Sequence, residues 1–71
     1  MSDFKSRLLE EKAQLDERLS KIESFQQGAG FSSIPIVQQT LLNIQQKAMA
    51  TYSQILAERI ALIENSGASP A

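Results

Sequence analysis

Gly28-Ala29-Gly30-Phe31-Ser32-Ser33-Ile34-Pro35 is the one stretch that interrupts a helical pattern running through nearly the whole chain. Its glycines stop a helix, and a C-terminal glycine cap is expected there. Ser32 or Ser33 can start the next helix, with Pro35 in its first turn, where the missing N–H costs least. Phe31 and Ile34 are apolar within a connection, so they are expected to plug its end. The stretch therefore predicts a turn between two helices.

Upstream, residues from about 3 to 27 read as one amphipathic helix. Phe4, Leu8, Leu15, Leu19, Ile22 and Phe25 recur at spacings of three, four and seven and share one face. Ser2 is a good N-cap, and Asp3 suits the positive end of the helix dipole. Glu17 and Lys21 form a favourable i,i+4 pair, and Arg7 has Glu10 and Glu11 in reach.

Downstream, residues from about 35 to 65 read as a longer helix with two apolar stripes. One is Val37, Leu41, Ile44, Ala48, Ile55 and Leu62. The other is Leu42, Met49, Tyr52, Leu56, Ile60 and Ile63. A single partner helix covers only one stripe. The other would be a large exposed patch, which predicts helices from further copies of the chain. The reading is thus all-α: one domain over 1–66, a two-helix antiparallel hairpin with connection 28–34, assembled into a homo-oligomeric bundle. Residues 67–71 are expected to form a flexible tail.

Composition points the same way. At 71 residues the chain holds one small domain, marginal alone. Such domains lean on disulfides, metals or oligomerisation. With no Cys and no His, disulfides and the usual zinc ligand sets are excluded, and oligomerisation remains. The absence of Cys fits a reducing cytoplasm. A net charge of -1 argues against non-specific binding to a DNA or RNA polymer. The longest apolar run, Ile60 to Ile63, is far short of the ~20 residues of a membrane span. The start Met1-Ser2-Asp3-Phe4-Lys5 lacks the apolar core of a signal peptide.

The same gaps bound the chemistry. No His or Cys means no common general base, thiol nucleophile or metal cluster, so no catalytic residue, metal or cofactor is expected. The carboxylates of the first helix alternate with Lys and Arg, as on a solvated face. Gly28-x-Gly30 follows no strand and reads as a helix stop, not a phosphate loop. The cations and aromatics carry more. Arg7 and Arg18, eleven residues apart, share a face, and Lys21 lies a turn beyond Arg18. Phe4 lies near the helix N-terminus, where N–H groups favour an anion. Arg59 interrupts the apolar pattern between Leu56 and Ile60. The plain structural alternative pairs Arg18 and Arg59 with carboxylates across a subunit interface.

The order of these residues resembles a known family. Arg7-Leu8-Leu9-Glu10-Glu11-Lys12, Leu15-Asp16-Glu17-Arg18-Leu19, Lys21-Ile22 and Phe25 look like its first helix. Phe31-x-x-Ile34, Gln39-x-Leu41-Leu42, Gln46, Met49, Tyr52, Leu56 and Arg59-Ile60 look like its second half. The family is the phage anti-CBASS cyclic-oligonucleotide sponges, and the resemblance covers roughly residues 4 to 63. It implies a homohexamer without enzymatic activity, working in the cytoplasm of the infected bacterium. Such proteins sequester cyclic dinucleotides and, in some members, cyclic trinucleotides, the second messengers of bacterial immune synthases.

By the same resemblance, Phe4 stacks on a base of the dinucleotide and Arg18 meets its phosphate, with Arg7 and Lys21 as further basic candidates. Members commonly carry Tyr where Phe4 stands, so a hydroxyl hydrogen bond is lost here. Ser20 and Arg59 match the trinucleotide-binding positions. Physical reasoning supports the dinucleotide part: a two-fold subunit interface presents each side chain twice, as a two-fold ligand requires. The rival reading is a structural or adaptor bundle that binds a protein through its uncovered apolar face.

Overall fold

The computed structural model describes residues 2–68, with side chains over residues 4–65. The described chain is all-helical, with α1 at Ser2–Gln27, α2 at Ala29–Ser33 and α3 at Ile36–Ala68. Two helices were expected. The third, α2, is a five-residue turn inside the connection read as loop.

The connection differs from expectation in its chemistry as well. Gly28 has φ -93° and ψ 169°, an extended conformation, and no glycine among the described residues has a positive φ. The expected left-handed cap is therefore replaced by a different stop. The N–H of Gly28 donates to the Phe25 carbonyl at 3.1 Å, tightening the last turn of α1. The Gly28 carbonyl then accepts from Phe31, so the same residue opens α2. Ser32 and Ser33 do not cap the second long helix. Their hydroxyls donate back to the Ala29 carbonyl, closing α2. Pro35 stands one residue before α3, and its carbonyl accepts the Gln39 N–H at 3.0 Å. Ile34 is extended, as a residue before proline must be. Phe31 meets Phe25 edge-on, with ring centroids 6.1 Å apart, at the end of α1.

Pairs along α1 and α3 run in opposite order. Lys5 meets Glu64, Asp16 meets Ser53, Glu23 meets Gln46 and Gln26 meets Asn43. The numbers rise on one helix and fall on the other, so the two lie antiparallel. The molecule measures 54 × 15 × 15 Å. Its length is close to the ~50 Å of a helix as long as α3 at 1.5 Å per residue.

The core is small: Leu8 and Leu15 of α1 against Leu56 and Ile60 of α3, with Met49 and Ile63 beside them. Leu56 is wholly buried. On α1, Leu19 and Ile22 are half-buried while Phe4 and Phe25, at the two ends, stay exposed. On α3, it is the stripe containing Met49, Leu56, Ile60 and Ile63 that α1 covers. The other stripe is bare: Val37 is 68% exposed, Ile44 58% and Leu62 65%.

Among the described residues, the ladder of polar contacts between α1 and α3 centres on Asp16. Its carboxylate accepts from Lys12 on its own helix at 2.6 Å and from buried Ser53 across the interface. These hydrogen bonds, Lys12 first and Ser53 second, hold the Asp16 carboxyl below its ordinary value of 3.8. A depressed carboxylate stabilises the fold above its unfolded pKa and loses that contribution as pH falls through the folded value. Melting temperature should therefore drop more steeply in the natural chain than in Asp16→Asn below about pH 4. Parallel curves for the two proteins in thermal melts from pH 7 down to pH 3 would show that the contact contributes nothing. Of the flexible tail expected over 67–71, residues 67 and 68 belong to α3, which runs to Ala68. The rest of that tail, and the side chains of the expected cap at Ser2 and Asp3, lie outside the described residues.

Candidate functional site

The two sides of the helix pair differ. One side carries the polar ties: Lys5–Glu64 at 3.1 Å, Lys12–Asp16–Ser53, and Gln46 donating to Glu23 at 3.0 Å. On the opposite side the contact between helices is of another kind. The Arg59 guanidinium carbon lies 5.9 Å from the Phe4 ring centroid, a cation–π contact. Phe4 keeps 54% of its surface exposed. A contact between exposed partners of this type is worth about 0.5–1 kcal/mol.

Helical geometry places other residues on that same side. At about 100° per residue, Arg7 and Arg18 fall within some 20° of each other on α1, on the flank where Phe4 stands. Lys21 continues the flank, with Glu17 4.0 Å away and both side chains exposed. On α3 the same rotation puts Arg59 in line with Val37, Leu41, Ile44, Ile55 and Leu62, all exposed. The bare apolar stripe and the free arginines thus occupy one side, and the polar ties occupy the other. Among the described residues neither Arg7, Arg18 nor Arg59 has a carboxylate partner within the chain.

The expected site residues are partly gathered. Phe4 and Arg59, expected at separate dinucleotide and trinucleotide sites, are in contact. Arg18 stands fourteen residues from Phe4, about 21 Å along the helix. Ser20 is two residues past Arg18, about 200° round the helix, on the tied side. Among the described residues no group of three His, Cys, Asp or Glu comes together that could hold a metal ion. Two features escaped the reading of the sequence. Nothing in the local sequence marks Asp16 and Ser53 as partners; only the register of α1 on α3 brings them together. Phe4 and Arg59 are 55 positions apart in the chain, with no local signal that they meet.

A family model named Sequestin matches residues 2–62 of the chain. The chain belongs to the Sequestin family. The match spans α1, α2 and all but the last turns of α3, and so includes every residue of the unpaired side named above. It agrees with the resemblance to sequestering sponges drawn from the order of residues. Membership implies a binding or sequestering role in place of a catalytic one. No curated protein and no solved structure matches the chain significantly. No helix among the described residues is long and apolar enough to cross a membrane.

Proposed function

We propose that this Sequestin-family chain binds and holds cyclic dinucleotides without cleaving them, and so blocks CBASS-type antiviral signalling in a phage-infected bacterium. The observation that carries the reading is the coincidence of free arginines, an exposed aromatic and a bare apolar stripe on one side of the helix pair. The hairpin is the repeating unit of a homo-oligomer, a hexamer by its resemblance to the sponges. Apolar residues of α3 hold the copies together. The arginines beside them are left at the junctions, where each appears twice around a two-fold axis. A cyclic dinucleotide needs that arrangement: two phosphates for two cations and two bases for two aromatic faces. Arg18 meets phosphate, with Arg7 and Lys21 adding charge, and Phe4 stacks on a base, worth roughly 1–3 kcal/mol per base. Ser20 and Arg59 serve cyclic trinucleotides at a three-fold junction.

A thermal-shift series with cyclic dinucleotides and their linear counterparts tests this directly. A ligand that binds only the folded state at about 100 times its Kd adds roughly 2.7 kcal/mol, a shift of roughly 10–20 °C for so small a domain. Heat-denatured mixtures should return the cyclic ligand intact. Recovery of linearised product in proportion to protein would make the chain an enzyme. An absence of any shift, with a protein partner bound through the bare stripe, would favour an adaptor.

A further inference from the structure

The bare stripe of α3 is more regular than a hydrophobic patch needs to be. Val37, Leu41, Ile44, Ala48, Thr51, Ile55, Glu58 and Leu62 follow one another at alternating steps of four and three. Every one of them is exposed. That alternation is a coiled-coil seam, with Leu41, Ala48, Ile55 and Leu62 at one core position of the heptad and the others at the second. The stripe covered by α1 is separate from it, so the seam is unused within the chain.

The seam is also nearly symmetric about a point between Met49 and Ala50. From that point outward, Ala48 mirrors Thr51, Ile44 mirrors Ile55, and Val37 mirrors Leu62. We infer that this seam packs against the same seam of a second copy, antiparallel, about a two-fold axis crossing α3 between residues 49 and 50. The inference rests on reading the chain as a homo-oligomer and says which faces meet and in which direction. A two-fold contact requires a self-complementary surface. Here the small pair Ala48 and Thr51 sits at the crossing point, where two helices inclined by about 20° approach most closely. The larger Ile44–Ile55 and Val37–Leu62 pairs fill the widening gap on either side.

Glu58 decides the direction. In a parallel pairing each seam residue meets its own copy, and Glu58 would face Glu58. Like charges in a seam act against that arrangement. In the antiparallel pairing Glu58 lies beside Leu41, far from the axis, and the two carboxylates stand about 26 Å apart along the helix.

The chain has no cysteine, so engineered thiols report on the geometry without interference. Val37→Cys and Leu62→Cys chains, carrying tags of different size, are co-expressed and oxidised. Both sites are exposed, so circular dichroism should match that of the natural chain. The mixed Val37→Cys/Leu62→Cys disulfide should form, and neither variant should cross-link to itself. In an antiparallel pair two copies of position 37 lie about 38 Å apart, against a Cα limit of roughly 7 Å for a disulfide. Dominant self-cross-linking of Val37→Cys would overturn the antiparallel direction. No cross-link at either site, with an intact oligomer in native mass spectrometry, would show that copies meet on another face. That result would leave ligand sequestration standing. Monomers alone in native mass spectrometry would instead remove the oligomer, and both readings with it.

Discussion

Leu56→Ala should abolish folding at room temperature. Leu56 has no exposed surface and belongs to a core in which, among the described residues, only four apolar side chains are buried. Removing a buried Leu side chain costs about 2–5 kcal/mol through lost transfer energy and the cavity left behind. A typical domain has only about 5–15 kcal/mol in total, and a chain this short lies at the weak end. Far-ultraviolet circular dichroism against temperature should show no cooperative transition for the variant. Leu62→Ala, six residues on but 65% exposed, is the matched control. It should keep its helices and weaken association between copies. A Leu56→Ala protein that melts within a few degrees of the natural chain would mean that the core lies elsewhere.

The second large effect is on ligand. Arg18→Ala should weaken cyclic dinucleotide binding by more than about tenfold and leave the oligomer intact. A hydrogen bond to a charged group contributes about 1.5–3 kcal/mol, and about 1.4 kcal/mol is already a factor of ten. A two-fold site loses that contact twice. Arg59→Ala should do much less to the dinucleotide. It touches Phe4 through a contact of about 0.5–1 kcal/mol, so a change below about fivefold is expected. Where trinucleotides bind, Arg59→Ala should remove that binding. Calorimetric titration of both variants, paired with sizing, checks each expectation. If Arg18→Ala dissociates into smaller species, its arginine belongs to a subunit interface and the phosphate role is wrong.

The long helices were legible because their residues repeat every three or four positions over many turns. From that period alone Leu8 and Leu15 could be placed on the apolar face of α1, and Leu56 and Ile60 on one of the apolar stripes of α3. The period also showed that α3 has two apolar stripes. It could not show which one α1 covers, since either would satisfy the pattern. The connection was misread in detail because Gly28 and Pro35 were assigned their commonest roles. Gly28 instead uses an ordinary extended conformation, and Pro35 precedes α3. The contacts at Asp16–Ser53 and Phe4–Arg59 were invisible, because both depend on how one helix is rotated and aligned against another. Arg7, Arg18 and Lys21 could be assigned to one flank from spacing. That this flank is the one beside the bare stripe of α3 required the Phe4–Arg59 contact.

A rod only 15 Å across has almost no interior apart from the strip where its two long helices touch. Most proteins that hold a ligand keep a thick scaffold behind the site, and that scaffold absorbs mutations without disturbing the ligand. Here, on the proposed reading, recognition and association share the one narrow side that carries Phe4, Arg18 and the bare stripe. The freedom to change therefore lies on the opposite side, along the Lys5–Glu64 and Glu23–Gln46 ties, where exposed pairs contribute little. Sequences that drift under selection should diverge first along that polar edge. A fluorophore or affinity handle belongs on the same edge.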